Sequence, residues 1–344
     1  MSIAFSWQGL PQYAARQLRV AIAQLGQPCA VVGTRPAVPI QGMEEALGQP
    51  IHWVEGPQAA RWSDLGLAVP KVFFQAGWSC PAFNALGDEV RAAGGRVCLL
   101  MDNDWRGDLR QWVGGLWFRL AMKRQFAAIM VPGVSGRRLA RWYGFGAEEI
   151  FEGLYGADPS VFFDGPPLAE RPKRILFVGQ YIERKDCVGL ATAFASVAER
   201  LPEWELHLYG SGPLQEKIPT HPRIRVHGFV QPEQLGALYR EARIFALPSR
   251  SEAWGLVVHE AALSGCQLLL SDAIGSRQDF AAPDLNAVIC PVGSQAAWAA
   301  AILHLAGDDL DALARAQAAS LRRARTHGPA VFAARVVEVV RKFS

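Results

Sequence analysis

Cysteine is sparse: the six in 344 residues (Cys29, Cys80, Cys98, Cys187, Cys266, Cys290) form no CxxC pair and no ligand-like cluster. That spacing excludes a zinc framework and a disulfide-stapled scaffold. Thiols beside apolar runs read as buried and free, which implies a reducing cytoplasm. Long apolar runs are missing too. Nothing approaches the ~20 residues of a spanning helix. The start, MSIAFSWQGL, has no basic flank and no long apolar core, so no signal peptide is expected there. Charge is modest: charged residues make up 19% and the net charge is +3, with short basic groups near Arg137–Arg141 and Arg322–Arg325. Nucleic acid is therefore not an expected partner. Internal repeats are absent, and low complexity is limited to Ala297–Ala301, as a helix explains.

What the chain does have is alternation. Strand-length apolar runs occur at Ile3–Phe5, Ala30–Val32, Val72–Phe74, Val97–Met101, Ala128–Val131 and Ile150–Leu154. Six more follow at Ile175–Val178, Glu205–Tyr209, Ile224–His227, Ile244–Leu247, Leu268–Ser271 and Ala287–Cys290. Helical patterns separate them, which predicts an α/β protein with parallel sheets covered on both faces. The Gly- and Pro-rich stretch 156–172 reads as a linker. The expected organisation is two Rossmann-like, doubly wound domains, 1–155 and 173–329, facing each other across a cleft. A last helix at about 330–344, after the Gly328-Pro329 break, is expected to pack back on the first domain. Ligands in such sheets bind at the carboxyl ends of the strands.

One segment carries most of the chemistry. From Pro248 to Glu260 the chain reads P-S-R-S-E-A-W-G-L-V-V-H-E. It follows an apolar strand and opens an apolar helix, so backbone N–H groups and the helix dipole are available to an anion. Glu252 and Glu260 flank that turn. Carboxylates repel phosphate but accept hydrogen bonds from sugar hydroxyls. A phosphate cradle between two acids suits a sugar nucleotide. Glu260 lies in an otherwise apolar helix, where a carboxylate is costly without partners. His259 beside it reads as structural.

The second half resembles retaining glycosyltransferases of the two-Rossmann (GT-B) architecture, family 4 (glycosyl transferases group 1). Five motifs carry the resemblance in order: I-L-F-V-G-Q-Y-I-E-R-K-D (Ile175–Asp186), L-Y-G-S-G-P-L (Leu208–Leu214), V-H-G-F-V (Val226–Val230), L-P-S-R-S-E-A-W-G-L-V-V-H-E-A-A-L-S-G-C (Leu247–Cys266) and S-D-A-I-G-S (Ser271–Ser276). In the first half, G-L-Y-G-A-D-P-S-V-F (Gly153–Phe162) resembles the family's interdomain segment. The first 120 residues match only in organisation.

The resemblance implies transfer of a sugar from a nucleoside-diphosphate sugar to an acceptor hydroxyl with retention, in cell-surface polysaccharide or glycolipid synthesis. No cofactor and no metal is expected. Glu252 would contact the transferred sugar, Lys185 and Arg184 the pyrophosphate, and Glu260 the ribose. Gly255, Leu256 and Val257 would offer backbone to the pyrophosphate, with Gln180, Gly210, Phe229 and Trp254 completing the donor side. Trp254 reads as packing under the turn more than as a sugar platform. Gln180 stands where the family has arginine, Asp186 where glycine is commoner, and Ser276 where a second glycine is usual; Ser276 is expected to narrow the sugar site.

Family members often carry a histidine at the end of a central first-domain strand. Here Asp102 or Asn103 stands there, and Asp102 is the acceptor-side catalytic candidate. Asp102-Asn103-Asp104 also mimics a metal-binding DxD, an alternative that predicts a divalent ion. Gly9 is a weak candidate for backbone approach to phosphate. The basic helix Arg110–Phe126, with Trp112, Leu116, Trp117 and Leu120 toward one side, is either a half-buried domain helix or a peripheral contact with the inner membrane face. A glycan or lipid-linked acceptor is implied. Two other functions stay open: a nucleotide-binding scaffold without transfer, and another enzyme on the same fold, such as a sugar-nucleotide epimerase or a phosphorylase.

Overall fold

The computed structural model describes residues 2–35, 42–55 and 58–343. The chain forms two compact units, one up to Asp158 and again from His327, the other Pro159–Thr326. In the first, strands β1 (Ile3–Trp7), β2 (Cys29–Gly33), β3 (His52–Trp53), β4 (Val72–Ala76), β5 (Arg96–Leu100), β6 (Ala128–Val131) and β7 (Ile150–Glu152) make a parallel sheet in the order β3-β2-β1-β4-β5-β6-β7. Helices α1 (Gln12–Leu25), α2 (Met43–Leu47), α3 (Pro81–Ala92), α4 (Leu109–Trp117) and α5 (Val134–Trp142) connect them. The two-residue β3 has no apolar run to announce it.

Both faces of this sheet are buried, and strand alternation divides the core. Ile3, Phe5, Val72, Phe74, Cys98 and Leu100 point to one side, while Ala4, Phe73, Val97 and Leu99 point to the other. Phe5 stacks on Phe74 across the β1–β4 pair, with ring centroids 4.7 Å apart. The basic helix read over Arg110–Phe126 is present and runs on to Gln125, but its pitch changes. After α4 the backbone widens into a π turn at Phe118–Met122 and tightens at Lys123–Gln125. This places Phe118 in the core, 4.3 Å from the Tyr143 ring.

In the second unit, β8 (Arg174–Val178), β9 (Glu205–Tyr209), β10 (Ile224–His227), β11 (Ile244–Leu247), β12 (Gln267–Ser271) and β13 (Ala287–Cys290) form a parallel sheet ordered β10-β9-β8-β11-β12-β13. Its helices are α6 (Cys187–Val197), α7 (Pro232–Arg240), α8 (Leu256–Leu263), α9 (Arg277–Phe280), α10 (Gln295–Leu305) and α11 (Leu310–Ala324). This order reverses direction between β8 and β11, as the first sheet does between β1 and β4. Such switch points open a crevice at the strands' carboxyl ends.

Most of the stretch read as a linker is packed into this second unit. Phe162 and Leu168 are buried, and the buried Arg171 guanidinium donates to Pro166 O (2.8 Å) and Ala242 O (3.1 Å). Finally, α12 (Pro329–Lys342) belongs to the first unit, where Phe332, Val336 and Val339 pack with Leu18 and Ala21 of α1 in one core cluster.

Candidate functional site

The donor-side residues named from sequence gather at the β8/β11 switch point of the second unit. β8 ends at Gly179-Gln180, and the next residue, Tyr181, is fully buried. The Tyr181 hydroxyl lies 2.8 Å from Leu208 O and 2.7 Å from His227 O, so one side chain ties together the ends of three strands. Its backbone N donates to Ser211 O at 2.9 Å and its carbonyl accepts from Leu214 N at 3.0 Å. Gly210 sits in that crossing at φ 153°, and a Cβ there would lie 1.9 Å from Gly179 O. Only glycine fits.

The basic turn follows. Glu183–Lys185 makes one tight helical turn, and Asp186 takes the left-handed conformation (φ 49°, ψ 33°) before α6. Aspartate tolerates that region better than most side chains, which accounts for its presence where glycine is usual. Arg250 anchors this loop: its backbone N donates to Arg184 O (2.7 Å) and its guanidinium to Asp186 Oδ1 (3.2 Å).

Glu252 is the focus of the turn. Its Oε2 accepts from Lys185 Nζ, from Arg184 Nη1 at 3.3 Å and from Ser249 Oγ at 3.4 Å. Its main chain is fixed from both sides, N to Ala273 O (3.1 Å) and O from Gly275 N (3.0 Å). Gly255 precedes α8 at φ 85°, where a Cβ would come within 3.1 Å of Glu252 Cγ. The N–H groups of Leu256 and Val257 then open α8, and first-turn donors have no intrahelical acceptor.

Glu260 is 9% exposed. Its expected need for a partner is met within the protein: Tyr239 Oη, from α7, donates to Glu260 Oε2 at 2.8 Å. Burial still pushes its carboxyl up to about 7, against the pull of the Tyr239 hydrogen bond. His259 is buried, lies 2.8 Å from Ala324 O through Nε2, and stacks on Phe280 at 4.6 Å.

Trp254 packs under the turn, the reading preferred for it: it is 5% exposed and edge-on to Phe280 (5.6 Å), and so does not join the donor side. Two further expectations need correction. Ser276 is fully buried, with N donating to Trp254 O (3.1 Å) and Oγ 3.4 Å from Gly255 O; it braces the turn and does not narrow a sugar site. Gly9 takes φ 57°, but its amide is already committed to Thr34 Oγ1 at 2.7 Å. Gln180 and Phe229 are exposed beside the site, Phe229 at 53% just past β10. Tyr181 and Tyr239 were not singled out from sequence. Tyr181 stood inside a quoted motif, yet nothing local marks a hydroxyl that bonds to distant carbonyls.

In the first unit, Asp102 follows β5 and lines a cavity of about 290 Å³ at the β1/β4 switch point, with Trp7, Trp78 and Tyr155. Tyr155 Oη donates to Asp102 Oδ2 at 3.1 Å. Burial, with Tyr13 and Asp102 close by, holds the Tyr155 phenol well above its ordinary pKa, so it stays a donor. Asp104 is 9% exposed and its Oδ1 accepts from Arg106 Nε at 3.2 Å. Among the described residues, no group of three His, Cys, Asp or Glu is arranged to hold a metal ion.

A parallel six-stranded sheet, with a glycine-fronted helix and two acids at its switch point, defines a Rossmann-like domain with a ligand crevice at the strands' carboxyl ends. Residues 172–308, which lie within the second unit, match the family model Glycosyl transferases group 1. The chain is 30% identical over 175 residues to D-inositol 3-phosphate glycosyltransferase of Corynebacterium urealyticum. That alignment covers 47% of this chain and 41% of the relative, so the chain spans less than half the length of this curated relative. The whole fold is GT-B. It is similar to Anabaena HepE solved with UDP and glucose (TM-score 0.75, 14% identity, 99% of each chain) and to sucrose-phosphate synthase of Thermosynechococcus elongatus (TM-score 0.72, 17% identity, 99% of this chain and 98% of that one).

Proposed function

We propose that the protein transfers a hexose-type sugar from a nucleoside-diphosphate sugar to an acceptor hydroxyl, with retention and without a metal ion. The acceptor is a glycan or a lipid-linked glycan, and the setting is cell-surface polysaccharide or glycolipid synthesis on the cytoplasmic side. The observation that carries this reading is the convergence of Lys185 and Arg184 on Glu252 beside the Gly255 turn. Without donor, Glu252 supplies the counter-charge for Lys185. A bound diphosphate competes for Lys185, and Glu252 turns to the sugar hydroxyls.

The diphosphate leaves toward Lys185, Arg184 and the N–H groups at the start of α8, donors fixed before charge develops. The C1–O(phosphate) bond breaks, the C1–O(acceptor) bond forms on the same face, and the departing phosphate oxygen takes the acceptor proton. Glu260, held by the buried Tyr239 hydroxyl, offers the ribose an oxygen acceptor.

Thermal shift with UDP, GDP, ADP and their sugars tests this. One nucleotide should raise the melting point by several degrees. Lys185→Ala should weaken its binding roughly tenfold or more, as loss of a charge-assisted hydrogen bond implies. Glu252→Ala should leave diphosphate binding equal or tighter while transfer falls about 100-fold. Nucleotide binding without any transfer would favour the scaffold reading. Transfer abolished by a chelator and restored by manganese would overturn the metal-free route.

Peripheral membrane contact is the second part of the reading. Trp112, Leu116, Trp117 and Leu120 are 44–74% exposed on one side of α4 and the π turn, while Gly115 and Phe118 face inward. Between Asp108 and Glu148 there is no acidic residue, against Arg110, Arg119, Lys123, Arg124, Arg137, Arg138 and Arg141. An apolar stripe in a basic field suits anionic headgroups. No helix among the described residues is long and apolar enough to cross a membrane. Co-sedimentation should be strong with anionic phospholipid vesicles, weak with zwitterionic ones, and cut about tenfold or more by Trp117→Ser with Leu120→Ser. Equal binding to both vesicles would exclude the electrostatic part.

A further inference from the structure

The two switch-point crevices differ in one chemical respect: one has two cations held by an exchangeable carboxylate, Glu252, beside a helix N-terminus, and the other has neither. In the second unit, α8 opens on Gly255 with Leu256 and Val257 N–H toward the turn, and Lys185 and Arg184 stand beside it. In the first unit the corresponding donors are already committed. Gly9 N donates to Thr34 Oγ1 (2.7 Å), Leu10 N to Thr34 O (3.1 Å), and Gly77 N to Leu100 O (2.8 Å). The helices that leave this crevice open on prolines: Pro11 caps α1 and Pro81 begins α3, and proline has no N–H.

Among the described residues lining the cavity of about 290 Å³ there is no lysine, arginine or histidine. Its one ionisable acid is Asp102, whose Oδ2 takes the Tyr155 hydroxyl at 3.1 Å. The half-buried Trp78 indole, with the core residue Trp7 behind the wall, and the amide side chains of Gln8 and Asn103 complete the chemistry. Aromatic faces match the C–H face of a pyranose ring, and a carboxylate with amides matches its hydroxyls. A phosphate at the same place would meet Asp102 with no counter-charge.

We propose that this cavity takes the acceptor as an uncharged sugar ring and discriminates against phosphorylated acceptors, with Asp102 as the specificity-determining residue. The proposal rests on the transfer reading for the word acceptor, and it differs from what the name D-inositol 3-phosphate glycosyltransferase says of the similar Corynebacterium protein.

The test is saturation-transfer NMR and tryptophan fluorescence titration of the full chain, with saturating nucleotide. The probes are methyl hexosides and disaccharides, their 6-phosphates, and inositol 3-phosphate. Wild type should favour each neutral sugar over its phosphate by roughly tenfold or more, the scale of one unscreened like-charge contact. Asp102→Asn should bring that ratio close to one, and Asp102→Lys should invert it. Trp78→Ala should weaken neutral and phosphorylated sugars alike, with the melting point nearly unchanged.

Phosphorylated probes bound as tightly as neutral ones by wild type would overturn the proposal. So would a ratio unmoved by Asp102→Asn, or no sugar binding while the nucleotide still binds. Failure of every nucleotide to bind would instead count against the transfer reading alone, since sugar binding is read separately.

Discussion

Glu260 shows how one side chain joins stability to ligand chemistry. Burial raises its pKa from 4.5 to about 7. The sign follows from proton counting. Between those values the unfolded chain has lost the proton that the folded chain keeps, so stability falls as pH rises from about 4.5 to 7 and stays low above it. The gap corresponds to about 3 kcal/mol at pH 8. Glu260→Gln keeps an acceptor for Tyr239 and removes that cost. Chemical denaturation should show the variant more stable by about 2–3 kcal/mol at pH 8 and by under ~1 kcal/mol at pH 5. An equal effect at both pH values would mean that the carboxyl is not shifted. At this same scale, Glu260 stood out from sequence because an acid in an apolar helix is costly, and Trp254 was read as packing, while Glu252 was named through the resemblance. The role of Ser276 was not legible: a side chain's direction at a turn depends on what fills the space behind it, here the Gly255 carbonyl.

At the scale of elements, the glycine-rich turn after β9 is a point of close passage between backbones. Gly210→Ala places a methyl group into Gly179 O, at a φ that L-residues avoid. The expected loss is at least ~2 kcal/mol, seen as a lower denaturation midpoint, together with weaker nucleotide binding. An alanine variant with unchanged midpoint would show that the loops are not locked. The strands themselves were readable because buried parallel strands are apolar throughout. The extent of the helix from Leu109 to Gln125 was readable, but its change of pitch after Trp117 was not. A periodic sequence cannot report the one-residue widening at Phe118 that lets its ring reach Tyr143.

At the scale of the molecule, the first unit is discontinuous. Its last helix comes from residues 329–342, after the whole second unit. Phe332, Val336, Val339 and Val340 of α12 are buried in the core cluster shared with α1. Burial of four such side chains contributes roughly 6–10 kcal/mol as an upper figure, comparable to the whole stability of a domain. A chain ending at Thr326 should lose the cooperative melting of the first unit and retain that of the second. Two unaltered transitions in calorimetry would contradict this.

Composition and period determined a good deal: two parallel α/β sheets, no CxxC pair, and a glycine-led strand-to-helix turn flanked by Glu252 and Glu260. These are legible because strand alternation, glycine at forbidden φ and acids among apolar residues are properties of neighbours in sequence. Tertiary structure alone decided the rest. It brought Tyr181 to two carbonyls 27 and 46 residues away, Tyr239 to Glu260, Tyr155 to Asp102, and Thr34 to the amides that would otherwise face a phosphate. Those contacts are set by the order of strands in the sheets, and strand order is fixed by packing of whole faces, which no short window of sequence contains.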